Sequence, residues 1–229
     1  MKRTFDKSIL NEVAVTNEAE VFQVTETLGF KTAEGVFPYP SCENFNFINM
    51  GRLSPEKAQD NLIKAFASFH QNVPNSKLYI LGGGPLRKDL EDLIREVQVE
   101  DSVYLVGQVE NPFKIMKKCD CFVLSSHYEG QPMVLLEALT LGMKIVATDI
   151  VANRTVLEKG KYGLLVENSI EGLKTGLLQA VENETVGYQI HFKPEDYNQK
   201  AIQGFKLIWQ IKYLKISLIL SIIKCRNNL

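Results

Sequence analysis

Between Phe45 and Leu165, short apolar runs alternate with stretches in which apolar side chains recur every three or four positions, and each unit ends in small or polar residues. The runs are Phe45–Met50, Lys77–Leu81, Val103–Val106, Cys121–Leu124, Lys144–Ala147 and Tyr162–Leu165. Most are almost continuously hydrophobic, as strands covered on both faces must be. Helical spacing follows the first run at Leu62, Ile63, Phe66 and Phe69, and the second at Leu86, Leu90, Leu93, Ile94 and Val97. This alternation predicts an α/β chain with a doubly wound, mostly parallel sheet of six strands. Ser54, followed by Pro55, is predicted to cap the first helix.

The flanks are less regular. In residues 1–44, Val13-Ala14-Val15 and Val21-Phe22-Gln23-Val24 have the length of short strands, while Pro38, Pro40 and Ser41 suggest a linker. This segment reads as a joining piece or the remnant of a preceding domain, residues 45–190 as the main domain, and 191–229 as C-terminal helices with an apolar, basic tail. In that tail Tyr213–Ile223 is too short and too marked by lysine to span a bilayer, so it is expected to lie along a membrane surface, to pack on the domain, or to be the altered end of a truncated gene.

Composition narrows the functional classes. With 229 residues, 45% hydrophobic and 23% charged, the chain can bury one substantial core, and wholesale disorder is excluded. A net charge of -1 supplies no global field for nucleic acid, so any anion site must be local. Cys42, Cys119, Cys121 and Cys225 are too few and too unevenly spaced for a disulfide framework, and read as reduced thiols of a cytoplasmic protein. The opening MKRTFDKSILNE has no apolar run behind its charges and is not a signal peptide.

In sheets of this kind ligands bind outside the carboxyl ends of the strands. The first strand ends in Gly51-Arg52-Leu53-Ser54-Pro55-Glu56-Lys57, which sets a guanidinium and an ammonium at a helix start, a local anion site. The second ends in Gly82-Gly83-Gly84-Pro85, where missing side chains either admit a ligand close to the backbone or make a tight turn. A dinucleotide fingerprint fails there because its third glycine falls on Arg87. The fourth strand runs into Ser125-Ser126-His127-Tyr128-Glu129-Gly130-Gln131-Pro132, and a helix follows with Met133, Val134 and Glu137. Pro132 suits its first turn, whose N–H groups can face a phosphate, and both glutamates can line one cleft. His127 has no partner in the sequence to orient it as a base. No Asp-x-Asp occurs, so neither a metal nor another cofactor is expected.

The ordered blocks MGRLSPEK, LYILGGGPL, VYLVGQVEN, CDCFVLSSHYEGQPMVLLEALTLGMKIVATD and YGLLVEN resemble the C-terminal, donor-binding domain of family-4-type retaining glycosyltransferases of GT-B architecture, over about residues 45–185. The resemblance implies a Rossmann-like fold that binds a nucleotide diphosphate sugar. It implies that Arg52 and Lys57 hold the pyrophosphate, that Glu129, Gly130 and Gln131 hold the sugar, and that Glu137 holds the ribose. Arg52, Lys57 and Glu129 are thereby the expected catalytic groups, with Gly51, Gly82, Gly83, Gly84, Pro132, Met133 and Val134 lining the donor site. The acceptor is expected to be a glycan, a polyol-phosphate polymer or a lipid-linked sugar; Ile150–Glu158 resembles bacterial cell-wall and teichoic-acid enzymes.

The chain departs from the family in three respects. Only 44 residues precede the first strand, where the family has an acceptor-binding domain, so the chain reads either as a fragment or as half of a two-chain enzyme. Ala58 replaces a glycine that often follows the lysine, a change read as sterically mild, and Gly83 stands where an acidic residue is common. The rival reading is a non-catalytic module that binds a nucleotide or a partner protein through the same loops.

Overall fold

The computed structural model describes residues 29–182 and, beyond them, 192–195, 197 and 199. Six parallel strands form the central sheet: β3 (Phe45–Met50), β4 (Ser76–Leu81), β5 (Val103–Gly107), β6 (Cys121–Leu124), β7 (Lys144–Thr148) and β8 (Leu164–Val166). Their order is β5-β4-β3-β6-β7-β8. The chain thus adds two strands outward from β3, returns to the other side of β3, and continues outward in the opposite direction. That reversal places a topological switch point between β3 and β6.

The helices between the strands are α1 (Gln59–His70), α2 (Arg87–Glu96), α3 (Pro112–Met116), α4 (Met133–Thr140), α5 (Val151–Val156) and α6 (Ile170–Glu182). Alternate strand residues Phe47, Leu78, Ile80, Val103, Leu105, Val123, Val146 and Val166 form one core with Leu62, Phe66 and Phe69 of α1, Leu90 and Ile94 of α2, and Leu173 and Leu177 of α6. Their in-between neighbours Ile48, Tyr79, Phe122, Leu124, Ile145 and Ala147 are equally buried, so the sheet is covered on both faces and the expected apolar runs are explained. Phe47, Phe66 and Phe69 meet with ring centroids 5.4 to 6.2 Å apart. Such pairs contribute about 0.5–1.5 kcal/mol each beyond their buried area.

The structure departs from the sequence reading at two places that flank this frame. Within the segment taken as a joining piece, β1 (Phe30–Thr32) and β2 (Gly35–Phe37) form an antiparallel hairpin. It is held on the edge of the sheet, where Thr32 Oγ1 donates to the Val106 carbonyl at 2.8 Å and Glu34 pairs with Arg87 at 3.3 Å. Three-residue strands carry no alternation long enough to read, which is why the hairpin was invisible in the sequence. The last strand begins at Leu164 rather than Tyr162, because Tyr162 is still tied back to the Leu157 carbonyl. Gly163 passes so close to Ile145 that a Cβ would sit 2.9 Å from its side chain.

Beyond the main unit, Pro194, Glu195, Tyr197 and Gln199 are helical, with the Tyr197 N–H donating to the Lys193 carbonyl at 3.3 Å. The two strands expected before Phe30, the apolar tail and Cys225 lie outside the described residues. Among the described residues no helix is long and apolar enough to cross a membrane.

Candidate functional site

The switch point is opened by a mismatch between two ladders. β3 and β4 pair over six residues, whereas β3 and β6 pair only at Phe47 with Cys121 and Ile48 with Phe122. One residue further, Asn49 replaces the ladder with its side chain: its Nδ2 donates to the Val123 carbonyl at 2.8 Å, inside the core. The ladder goes no further, and the loops that follow β3 and β6 lie at the switch point, where a crevice forms in sheets of this order.

The β3 loop is built by its own backbone. Gln59, buried at the start of α1, donates through Nε2 to the Arg52 carbonyl at 2.9 Å, which pins the loop while the Arg52 side chain stays exposed. Arg52 makes no ion pair among the described residues. The predicted cap at Ser54 is replaced by a different arrangement. Ser54 precedes a short 3₁₀ turn, Pro55–Lys57, and its hydroxyl bonds to Glu56 Oε1 at 2.6 Å instead of to a helix N–H. Helix α1 starts only after Ala58, whose φ of 50° is left-handed. A glycine is favoured at such a position for its backbone, so the alanine is not sterically mild: the conformation costs a non-glycine residue about 1–2 kcal/mol. Its methyl group is fully buried, which offsets part of that cost.

Two of the three glycines are required by the fold itself. A Cβ on Gly82 would lie 2.0 Å from the Gly51 carbonyl oxygen, and one on Gly84 2.3 Å from that of Leu53. What approaches those backbones is the β3 loop itself, through bonds from Leu53 N–H to the Gly83 carbonyl and from Leu86 N–H to the Leu53 carbonyl. Gly83 meets only Gln108 at ordinary contact distance, and Gly51 only the Lys57 stem.

The β6 loop is bolted onto the β3 loop. Ser125 donates to the Lys57 carbonyl at 2.8 Å, and the His127 N–H to the Glu56 carbonyl at 2.9 Å. Lys57 Nζ lies 2.6 Å from Glu129 Oε1, which also accepts the Ser126 hydroxyl at 2.7 Å. Lys57 and Glu129, expected to serve different parts of a ligand, are therefore partners of one another. His127 is not the unpartnered ring the sequence suggested. Its Nδ1 faces Asn168 Oδ1 at 2.8 Å and its Nε2 approaches Asn61, so it ties this loop to α1 and to the turn after β8.

Behind this loop, Thr148 donates to the Ser126 carbonyl at 2.6 Å and Asn153 holds the Thr148 carbonyl at 2.9 Å. Sequence reasoning missed Asn49, Gln59, Thr148 and Asn153, and quoted Ser125 and Ser126 without giving them a role. All are polar groups buried at strand ends or helix starts, and small polar residues interrupting apolar runs were the available signal.

On the far side, Pro132 is buried immediately before α4 rather than within its first turn. Met133 N–H is satisfied by the Gln131 carbonyl and Leu135 N–H by that of Pro132, whereas the N–H groups of Gly130, Gln131 and Val134 have no acceptor among the described residues. One turn further along α4, Glu137 is half-buried, and burial raises its carboxyl pKa above the usual glutamate range. Its carboxylate has no hydrogen-bond partner among the described residues. No cluster of three or more metal-ligating side chains occurs among them either.

Residues 41–203 match the family described as glycosyl transferases group 1. The chain belongs to that family. It is 36% identical over 158 residues to the N-acetylgalactosamine-N,N'-diacetylbacillosaminyl-diphospho-undecaprenol 4-alpha-N-acetylgalactosaminyltransferase of Campylobacter jejuni, a match that covers 66% of this chain and 41% of that enzyme. It is 33% identical over 175 residues to an uncharacterized glycosyltransferase of Methanocaldococcus jannaschii, covering 70% of this chain and 43% of the relative. Among solved structures, a point mutant of S. aureus TarM in complex with fondaparinux, alpha-GlcNAc-glycerol and UDP superposes with a TM-score of 0.60 at 25% identity, over 72% of this chain and 32% of that one. The chain thus spans less than half the length of these relatives.

Within this group 1 glycosyltransferase chain, Arg52, Lys57, Glu129, Gly130, Gln131 and Glu137 all belong to the loops and helix that follow β3 and β6. Gly82 and Gly84 are committed to backbone packing. Cys119 and Cys121 are buried thiols whose ionisation burial suppresses, and Cys42 is exposed and free.

Proposed function

We propose that the crevice between β3 and β6 binds a nucleotide diphosphate sugar, and that the chain serves retaining transfer of its glycosyl group to an acceptor hydroxyl. The observation that carries this reading is that the loops and helix after β3 and β6 hold a half-buried Glu137 carboxylate, an exposed Arg52 guanidinium and the N–H groups of Gly130, Gln131 and Val134, the carboxylate and the N–H groups without hydrogen-bond partners among the described residues. A carboxylate on a helix accepts two ribose hydroxyls, and the cation and N–H groups donate to diphosphate oxygens. In transfer, negative charge builds on the departing diphosphate, where fixed donors lower the barrier most. Arg52, Lys57 and backbone N–H groups take the place of a metal in this reading.

Family membership supports glycosyl transfer, and the UDP held by TarM supports a uridine nucleotide. The diphospho-undecaprenol in the name of the Campylobacter enzyme and the alpha-GlcNAc-glycerol of the TarM complex point to a lipid-linked, glycan or polyol acceptor in polysaccharide or cell-wall synthesis. The opposite wall of the cleft is then supplied by a second, acceptor-binding domain, in line with the greater length of the relatives. The test is a calorimetric titration of the chain with UDP and several UDP-sugars in the presence of a chelator. Binding is expected for UDP and for at least one sugar nucleotide. Binding that appears only when magnesium is added would refute the metal-free site, and none under either condition would refute the donor-site reading.

A further inference from the structure

We infer that Glu129 is a competing counterion of Lys57, which makes the site favour an intact nucleotide sugar over the spent nucleoside diphosphate. The inference rests on the donor-site reading above and assigns this residue a part in product release.

The Lys57 ammonium has three N–H donors, and one is directed to Glu129 Oε1 at 2.6 Å. The same oxygen accepts the hydroxyl of Ser126, a fully buried residue, which holds the carboxylate against the ammonium. The Glu129 side chain is only 9% exposed and Lys57 23%, so the carboxylate charge is weakly screened. A diphosphate that reaches Lys57 therefore meets a cation already half neutralised, with a second negative charge beside it. Like charges at this range in a partly buried site oppose each other by an amount that bulk water would suppress. Oε2 of Glu129 has no hydrogen bond among the described residues, so it remains to accept a sugar hydroxyl. That compensation exists only while the sugar is attached. Once the glycosyl group has left, the repulsion stays and the gain is lost. Ser126 is a positioning residue in this scheme, because it sets which carboxylate oxygen faces Lys57.

Titration of Glu129→Gln with UDP and with the sugar nucleotide that the parent binds tests the idea. UDP affinity is expected to rise about three- to tenfold, the scale of a modest ion-pair term, while sugar-nucleotide affinity stays level or falls. Lys57→Met should cost more UDP affinity in the Glu129→Gln background than in the parent, a coupling that a purely structural role would not give. Unchanged or weaker UDP binding by a folded Glu129→Gln variant overturns the inference and leaves the donor-site reading standing. Failure of the parent to bind UDP overturns both. Should the glutamine variant not fold, Glu129→Asp keeps the charge but withdraws it from Lys57: tighter UDP binding than the parent supports the inference, and equal or weaker binding overturns it.

Discussion

In the proposed site, Glu137 trades stability for binding. Burial raises its carboxyl pKa, so the folded chain favours the neutral form; the stability tied to that form is fully present below the ordinary glutamate pKa and is lost as pH rises through the raised folded value. Ionising the carboxylate is therefore a cost that no donor among the described residues offsets. Glu137→Gln should raise the thermal midpoint of the chain near neutral pH, a gain that shrinks as the pH falls. The same change should weaken UDP binding about tenfold, the loss of roughly 1.4 kcal/mol of charge-assisted hydrogen bonding. UDP affinity of the parent should fall as acid protonates Glu137, with a midpoint above that of an ordinary glutamate. Thermal scans and titrations across pH measure both effects. A variant that binds UDP as tightly as the parent would remove Glu137 from the site.

Between elements, close approach is decided by residues with no side chain to spare. Gly176 on α6 faces Val146 and Val166, and a Cβ there would lie 2.7 and 2.8 Å from their methyl groups. Both valines are buried in the core, so neither can yield freely. Gly176→Ala improves helix propensity by about 1 kcal/mol but forces α6 off the sheet, and overpacking of this kind costs about 1–3 kcal/mol. A net loss of up to about 2 kcal/mol is expected in denaturant titration. A stabilised variant would show that α6 sits further from β7 and β8 than described. The same logic separates the glycines near the crevice. Gly82, at φ 123°, and Gly84 join the loops after β3 and β4, whereas a Cβ at Gly130 would meet open space.

For the molecule as a whole, a net charge of -1 means that any attraction for a diphosphate is local, in the proposed site from Arg52 and the N–H groups, with Lys57 already paired. UDP affinity should therefore fall only gently as salt rises, since most of that attraction acts within a Debye length of about 10 Å at 0.1 M. A steep salt dependence would point instead to a wider basic surface. The sequence by itself determined the sheet, because strands covered on both faces need apolar runs and the helices between them need a stripe; five of the six runs lie within a residue of the strands observed, and the ordered blocks pointed to the family. It also supplied Arg52, Lys57 and Glu129 as candidates, since charged groups beyond strand ends have no role in the core, and Glu137 on the following helix through the resemblance. Only the tertiary structure decided how they relate. Lys57 and Glu129 lie 72 positions apart, and no local pattern encodes that pair. Asn49, Ser125 and Ser126 acquire their bonding roles only once the strands are placed side by side. Ala58 looked mild until its backbone proved left-handed. A hydrophobic pattern fixes which face a residue turns to the core, whereas a hydrogen bond between distant loops depends on the strand order that brings them together.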